Sequence, residues 1–177
     1  IIYASIFFST ICFASSNSVK LAEIPRSADI DKEIAVVLSK SDQSWEKFTS
    51  PIASAKSIFN AKNRAFSIES GIEESVGDLA RYKFTITKDK KKSPIGTGPI
   101  SWVQVSPDEQ YIFYEPLRGI NTKNWQEFDL EKSLEMNGYF KLLRYSSKMK
   151  KVIIAQFDCA FDCPKTDKFT VLEVSLK

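Results

Sequence analysis

No histidine occurs among the 177 residues, and only three are cysteine. Without histidine the chain lacks the one side chain that titrates near neutral pH unperturbed, which is also the commonest general base and metal ligand. Ser-His-Asp and Cys-His chemistry are therefore excluded. Any zinc site would rest on cysteine and carboxylates alone. No glycine-rich phosphate loop is present, and no period of 20 to 50 residues repeats. No Asn-x-Ser/Thr glycosylation site occurs, which fits a bacterial periplasmic setting. The net charge of +3 is mild and falls short of the clustered basic footprint of nucleic-acid binding.

What is present begins with an uncharged apolar run, Ile1 to Ala14. Its length and the small residues after it match the apolar core of a secretory signal. It is too short for a membrane-spanning helix, which needs about 20 apolar residues. Cleavage after Ala14, Ser16 or Ala22 fits the small-residue rule, Ala14 and Ser16 best. Cys12 lies near the end of the run, but Ile11 before it is not the small residue that a lipidation motif requires. The reading is an exported protein, periplasmic or extracellular, with residues 15–27 as a linker or loose arm and 28–177 as one domain. Over all 177 residues, 43% hydrophobic and 27% charged are values for an ordinary folded domain.

Ala28 to Lys40 is the best helix candidate. Ile30, Ile34, Val37 and Leu38 fall on one face of a 3.6-residue period. Ser27 is a candidate cap, with Asp29 and Asp31 in the first turn. The continuous run Ile34 to Leu38 also permits a strand over 33–39. Trp45 and Phe48 are spaced for one helical turn. A strand is expected over 64–70, ending at Gly71. Tyr82, Phe84 and Ile86 alternate with Lys83, Thr85 and Thr87, a half-buried strand. Residues 88–99, rich in lysine, proline and glycine, read as a charged loop. Strands are expected over 100–105 and 110–115, joined by a type I turn at Ser106-Pro107-Asp108-Glu109. Residues 125–130 suit a strand or a short turn of helix. A hairpin over 139–157 and a last strand over 168–176 follow. Many short strands with little helix after Lys40 predict a mainly β, single-domain antiparallel sandwich or barrel with one N-terminal helix.

Ile100 to Glu115, I-S-W-V-Q-V-S-P-D-E-Q-Y-I-F-Y-E, resembles one strand pair of a β-propeller blade of the TolB kind, whose blades often carry a Ser-Pro-Asp-Gly turn. Glu109 stands where that turn has glycine. The hairpin over 139–157 is similar to a blade's outer strands. The resemblance covers about a quarter of the chain. A blade takes roughly 40 to 45 residues, so the chain holds three to four at most, and closed propellers start at four.

Four features carry candidate chemistry. Cys159 and Cys163 are the only cysteines after the apolar run. In an oxidising compartment they are expected to form a disulfide. The bond requires Cα atoms within about 7 Å, so residues 159–163 must then turn back on themselves. Asp158, Asp162 and Asp167 are too few and too hard to complete a metal shell, and no metal or cofactor is expected. Lys88, Lys90, Lys91 and Lys92 form a basic run that reads as a solvated loop tip or as a contact for an anionic surface. Trp102, Tyr114 and Trp125 are candidate ligand-facing aromatics for a peptide, a glycan or an envelope protein. Glu73, Glu74, Asp108, Glu109, Glu127 and Asp129 are scattered carboxylates, read as surface groups. Together these features point to an exported, non-enzymatic β-rich binding domain. An exported hydrolase or lyase using carboxylates or tyrosine, and a structural or assembly subunit of propeller-like build, are the alternatives.

Overall fold

A computed structural model describes residues 18–40, 44–63, 65–76, 79–134, 139–157 and 168–176. The apolar run 1–14 lies outside the described residues, as do Cys159, Cys163 and the aspartates around them. In chain order the elements are β1 (Ser18–Pro25), α1 (Ile30–Leu38), β2 (Glu46–Lys47), β3 (Ile58–Asn60), β4 (Ser67–Val76) and β5 (Leu79–Lys88). They continue with β6 (Lys91–Ile100), β7 (Val103–Val105), β8 (Tyr111–Tyr114), β9 (Arg118–Asn121) and β10 (Gln126–Asp129). The last are α2 (Leu130–Leu134), β11 (Tyr139–Ser146), β12 (Lys151–Phe157) and β13 (Lys168–Ser175). The chain is mainly β, as expected, and the strands pack as stacked antiparallel sheets without closing into a barrel.

Three sheets form, with strand orders β3-β4-β5-β6, β7-β8-β9-β10 and β1-β13-β12-β11-β2. The first two are simple meanders, because each strand reaches its neighbour through a short turn. They stack in a row. Phe84, Ile86 and Ile95 of the first sheet pack against Val103, Ile112 and Ile120 of the second. The other face of the second sheet offers Tyr111 and Phe113 to Leu142, Tyr145, Val152 and Ile154 of the third. The outer face of the third sheet carries Ile153, Ala155 and Val171, and α1 covers it with Ile34. The strand pair that resembles a propeller blade is thus the first half of a four-stranded meander, but the sheets stack as layers ending in a helix.

The helix at Ala28 to Lys40 forms, and the strand alternative over 33–39 does not. Its cap is Asp29 rather than Ser27: the Asp29 carboxylate accepts from the backbone N–H of Asp31 and Lys32 at 3.1 and 3.3 Å. Arg144, buried in the third sheet, donates to Asp31 at 3.0 Å and ties the helix down.

Four local expectations are corrected. Residues 18–25 are not a loose arm. They pair antiparallel with β13 along the whole of β1, with a bulge between Lys20 and Ala22. The partner strand, not any alternation in β1 itself, sets this register. Trp45 and Phe48 flank a two-residue strand, not a helical turn. Residues 91–99, read as loop, form β6 together with Ile100, which was expected in the next strand. The two-residue turn Asp89-Lys90 before it has φ of 48° and 63°, the left-handed pair of a type I′ hairpin. Proline is tolerated in β6 because it is an edge strand. Gly96, at φ 75°, sits in the irregular stretch where the register shifts. The expected strand over 64–70 starts at Ser67 and runs on past Gly71.

Gly119 of β9 has a steric reason to be glycine. It stands opposite Phe128 of β10, and a Cβ there would lie 2.2 Å from the Phe128 ring. That ring makes edge contacts with Tyr111 and Phe113, so it cannot swing aside freely. Gly119→Ala should cost about 2 kcal/mol, within the range for overpacking, read by urea denaturation. In a Phe128→Ala background the same change should cost far less. Equal costs in both backgrounds would refute the contact.

Candidate functional site

Alternation in β5 carries beyond its buried part. Phe84 and Ile86 face the second sheet, and Lys88 is next on that face. Across the hairpin, Lys91 pairs with Lys88 and Ser93 with Ile86. The end of this face is therefore polar where the pattern would otherwise place apolar residues. The two sheets part there and leave a cleft of about 380 Å³. One wall is Ile86, Lys88, Lys91 and Pro94, and the other is Ile120, Trp125 and Glu127. Asp89 and Ser93 complete the rim.

Trp125 comes to the cleft through an unusual backbone. Its φ is 61°, a left-handed conformation uncommon for a bulky residue. Its N–H donates to the Asn121 carbonyl at 2.7 Å, closing the turn between β9 and β10. Neighbouring polar side chains brace the turn: Asn121 accepts from the Lys123 N–H and Asn124 from the Gln126 N–H, each at 3.0 Å. The indole packs edge-on to Phe66, centroids 5.9 Å apart. The Lys88 ammonium lies over the Trp125 ring, 4.5 Å from its centroid.

The cleft thus joins Trp125 with Lys88 and Lys91 from the sequence candidates. Lys90 stands at the turn itself, exposed. Lys92 points to the opposite face and pairs with Glu69 at 3.3 Å. Trp102 is half-buried against the core between the second and third sheets, away from the cleft. Tyr114 is corrected: at 1% exposure it is core, not ligand-facing. β8 is buried on both faces, so it has no outward side for an aromatic to occupy. Burial pushes the Tyr114 hydroxyl up to about 12, with the charge of Glu127 adding to the effect. Glu127 and Asp89 as cleft residues escaped the sequence reading. Pairing of Glu127 with Ile120 puts it on the cleft face, and strand alternation was the available signal.

A second polar cluster joins the second and third sheets. The Asp108 carboxylate accepts from the Ser106 hydroxyl and the Gln110 N–H on one oxygen, at 2.8 and 3.1 Å. On the other it accepts from the Tyr145 hydroxyl at 2.8 Å and the Lys150 ammonium at 3.1 Å. Ser106 Oγ in turn accepts from the Tyr111 N–H at 3.0 Å. The Ser-Pro-Asp turn forms as expected, with the Glu109 N–H donating to the Ser106 carbonyl at 2.8 Å. Glu109 takes the left-handed position, φ 59°, that glycine holds in the resembled turn. Its carboxylate accepts from the Lys62 N–H at 3.0 and 3.1 Å.

This cluster is built for fastening rather than proton transfer. Burial pushes the Asp108 carboxyl up, but the four hydrogen bonds outweigh it and hold it below the ordinary 3.8. Burial and the Asp108 carboxylate both push the Tyr145 hydroxyl far up. A general acid or base at neutral pH needs a pKa near 7, and both groups are moved away from it. Among the described residues no group of three or more carboxylates and cysteines is arranged to hold a metal. No helix of the described residues is long and apolar enough to cross a membrane.

Comparison with protein-family models, curated proteins and solved structures finds no match to the chain.

The Asp108 cluster carries a pH prediction. A depressed carboxyl stabilises the fold above its unfolded pKa, about 3.9, and that contribution is lost as pH falls through the lower folded value. Asp108→Asn should lower stability at pH 7 by roughly 1–2 kcal/mol. It should also make the loss of stability between about pH 4 and pH 2 shallower. Urea midpoints measured across that range check both. An unchanged acid slope would refute the role given to Asp108.

Proposed function

We propose that the chain is an exported, non-enzymatic β-rich domain that binds a ligand in the cleft between the β5–β6 hairpin and the β9–β10 turn. The observation that carries this reading is the cleft itself. A left-handed tryptophan, the half-buried Lys88, the exposed Lys91 and two acidic residues line a space within the usual range for ligand sites, about 300–1,000 Å³. Left-handed tryptophan and opposed lysines both work against the fold. Such local conflicts are what functional sites commonly retain. The non-enzymatic part is supported by the Asp108–Tyr145 pair, whose proton affinities are driven apart from neutrality rather than toward it.

The test is a titration of isotope-labelled protein, followed by backbone and indole N–H resonances, with a panel of acidic and neutral oligosaccharides, short peptides and anionic phospholipid vesicles. At least one class should shift Lys88, Lys91 and Trp125 together. Shifts confined to another face for every binding class would overturn the cleft as the site.

The export part rests on the apolar run Ile1 to Ala14 and on the pair Cys159 and Cys163, expected to be bridged. Intact mass of protein recovered from the envelope or medium should correspond to a chain starting after Ala14 or Ser16, with no thiol open to labelling. A mass retaining the run, or two reactive thiols, would contradict it.

A further inference from the structure

Lys88 and Lys91 stand directly opposite each other in the hairpin. Like charges so placed disfavour strand pairing. Both line the cleft, Lys88 half-buried and Lys91 exposed at its mouth. Lys88 pairs with Asp89 only at the 4.0 Å limit. Among the described residues, Lys91 makes no ion pair. A cost held at this position is removed by an anion seated between the two ammonium groups. The flat Trp125 ring lies beside them. At present the Lys88 ammonium covers it, a contact weak enough at a half-exposed site for a ligand to displace. Glu127 across the cleft and Asp89 at its rim supply carboxylate acceptors, and Ser93, also at the rim, a hydroxyl that both donates and accepts.

One ligand chemistry answers all three features: an anionic group, a flat apolar face and several hydroxyl donors. We propose that the cleft binds a carboxylated sugar residue, its carboxylate between Lys88 and Lys91 and the apolar face of its ring against the Trp125 indole. The ring hydroxyls then donate to Glu127 and Asp89. A bare anion would leave Trp125 and both carboxylates unused. A neutral sugar would leave the lysine pair unrelieved. This assignment rests on the cleft being the binding site and names what fills it.

The experiment titrates the protein with sodium glucuronate, with glucose and with sodium acetate, reading the Trp125 indole N–H resonance and tryptophan fluorescence. Glucuronate should shift Trp125 saturably, and glucose and acetate should each bind at least about tenfold more weakly, the loss expected from one charge-assisted contact. Lys88→Gln/Lys91→Gln should weaken glucuronate by at least about tenfold. It should also raise the urea midpoint of the free protein, which a purely structural role for the lysines would not do. Trp125→Leu should weaken glucuronate and glucose alike. If it misfolds, the double lysine variant decides alone. Equal binding of glucose, equal binding of acetate, or a double variant with unchanged affinity would overturn the proposal. If a different class in the broader panel shifts the cleft while glucuronate does not, the ligand class falls and the cleft stands. If no class shifts it, both fall.

Discussion

Burial of β8 on both of its faces is the constraint on which the other layers depend. Tyr111 and Phe113 fill the space toward the third sheet, and Ile112 and Tyr114 fill the space toward the first. All four are under 5% exposed. A strand buried on two sides must have every backbone group paired. β7 and β9 do this on either edge, over Val103–Tyr114 through Val105–Ile112 and over Tyr111–Asn121 through Tyr114–Arg118. The middle sheet thus fixes the spacing of both neighbours, and α1 and the polar outer face of the first sheet close the stack.

Polar ties hold the layers in register where apolar packing alone would let them slide. Asp108 links the middle sheet to Tyr145 and Lys150 of the third. Glu115 accepts from the Ser101 N–H and hydroxyl at 2.7 and 2.9 Å and lies 3.6 Å from Arg81, pinning the corner between β6 and β7. Arg144 holds α1. These ties lie at the joints, while the cleft lies at an end where the first two sheets part. A stack of rigid layers that separates at one end makes a site without needing a mobile loop.

Much of this was legible in the residues, and what was missed follows physical lines. Alternation found β5, because one of its faces lies in a core, while the hairpin over 139–157 showed through the polar stretch 146–150 between two apolar runs, whose strands are buried on both faces. The Ser106-Pro107-Asp108 turn declared itself through proline and aspartate. β6 was hidden because Pro94, Gly96, Gly98 and Pro99 look like breakers, yet an edge strand with a bulge accepts them. β1 was hidden because its register comes from β13. Trp125 and the lysines at 88 and 91 were each singled out, but 34 residues separate Trp125 from Lys91, and only the stacking of two meanders joins them. Tyr114 was misjudged because alternation was taken to leave one face outward, whereas β8 has none.

The account turns on β8 as the innermost strand, and native-state hydrogen exchange tests it most directly. The amide protons of Tyr111 to Tyr114 should exchange only through global unfolding, with the same denaturant dependence as the whole protein. Amides of Asp89 and Lys90, at the tip where the sheets part, should exchange by local opening. Exchange of β8 by local opening, while β5 or β12 stays protected to the global limit, would contradict the layered core described here.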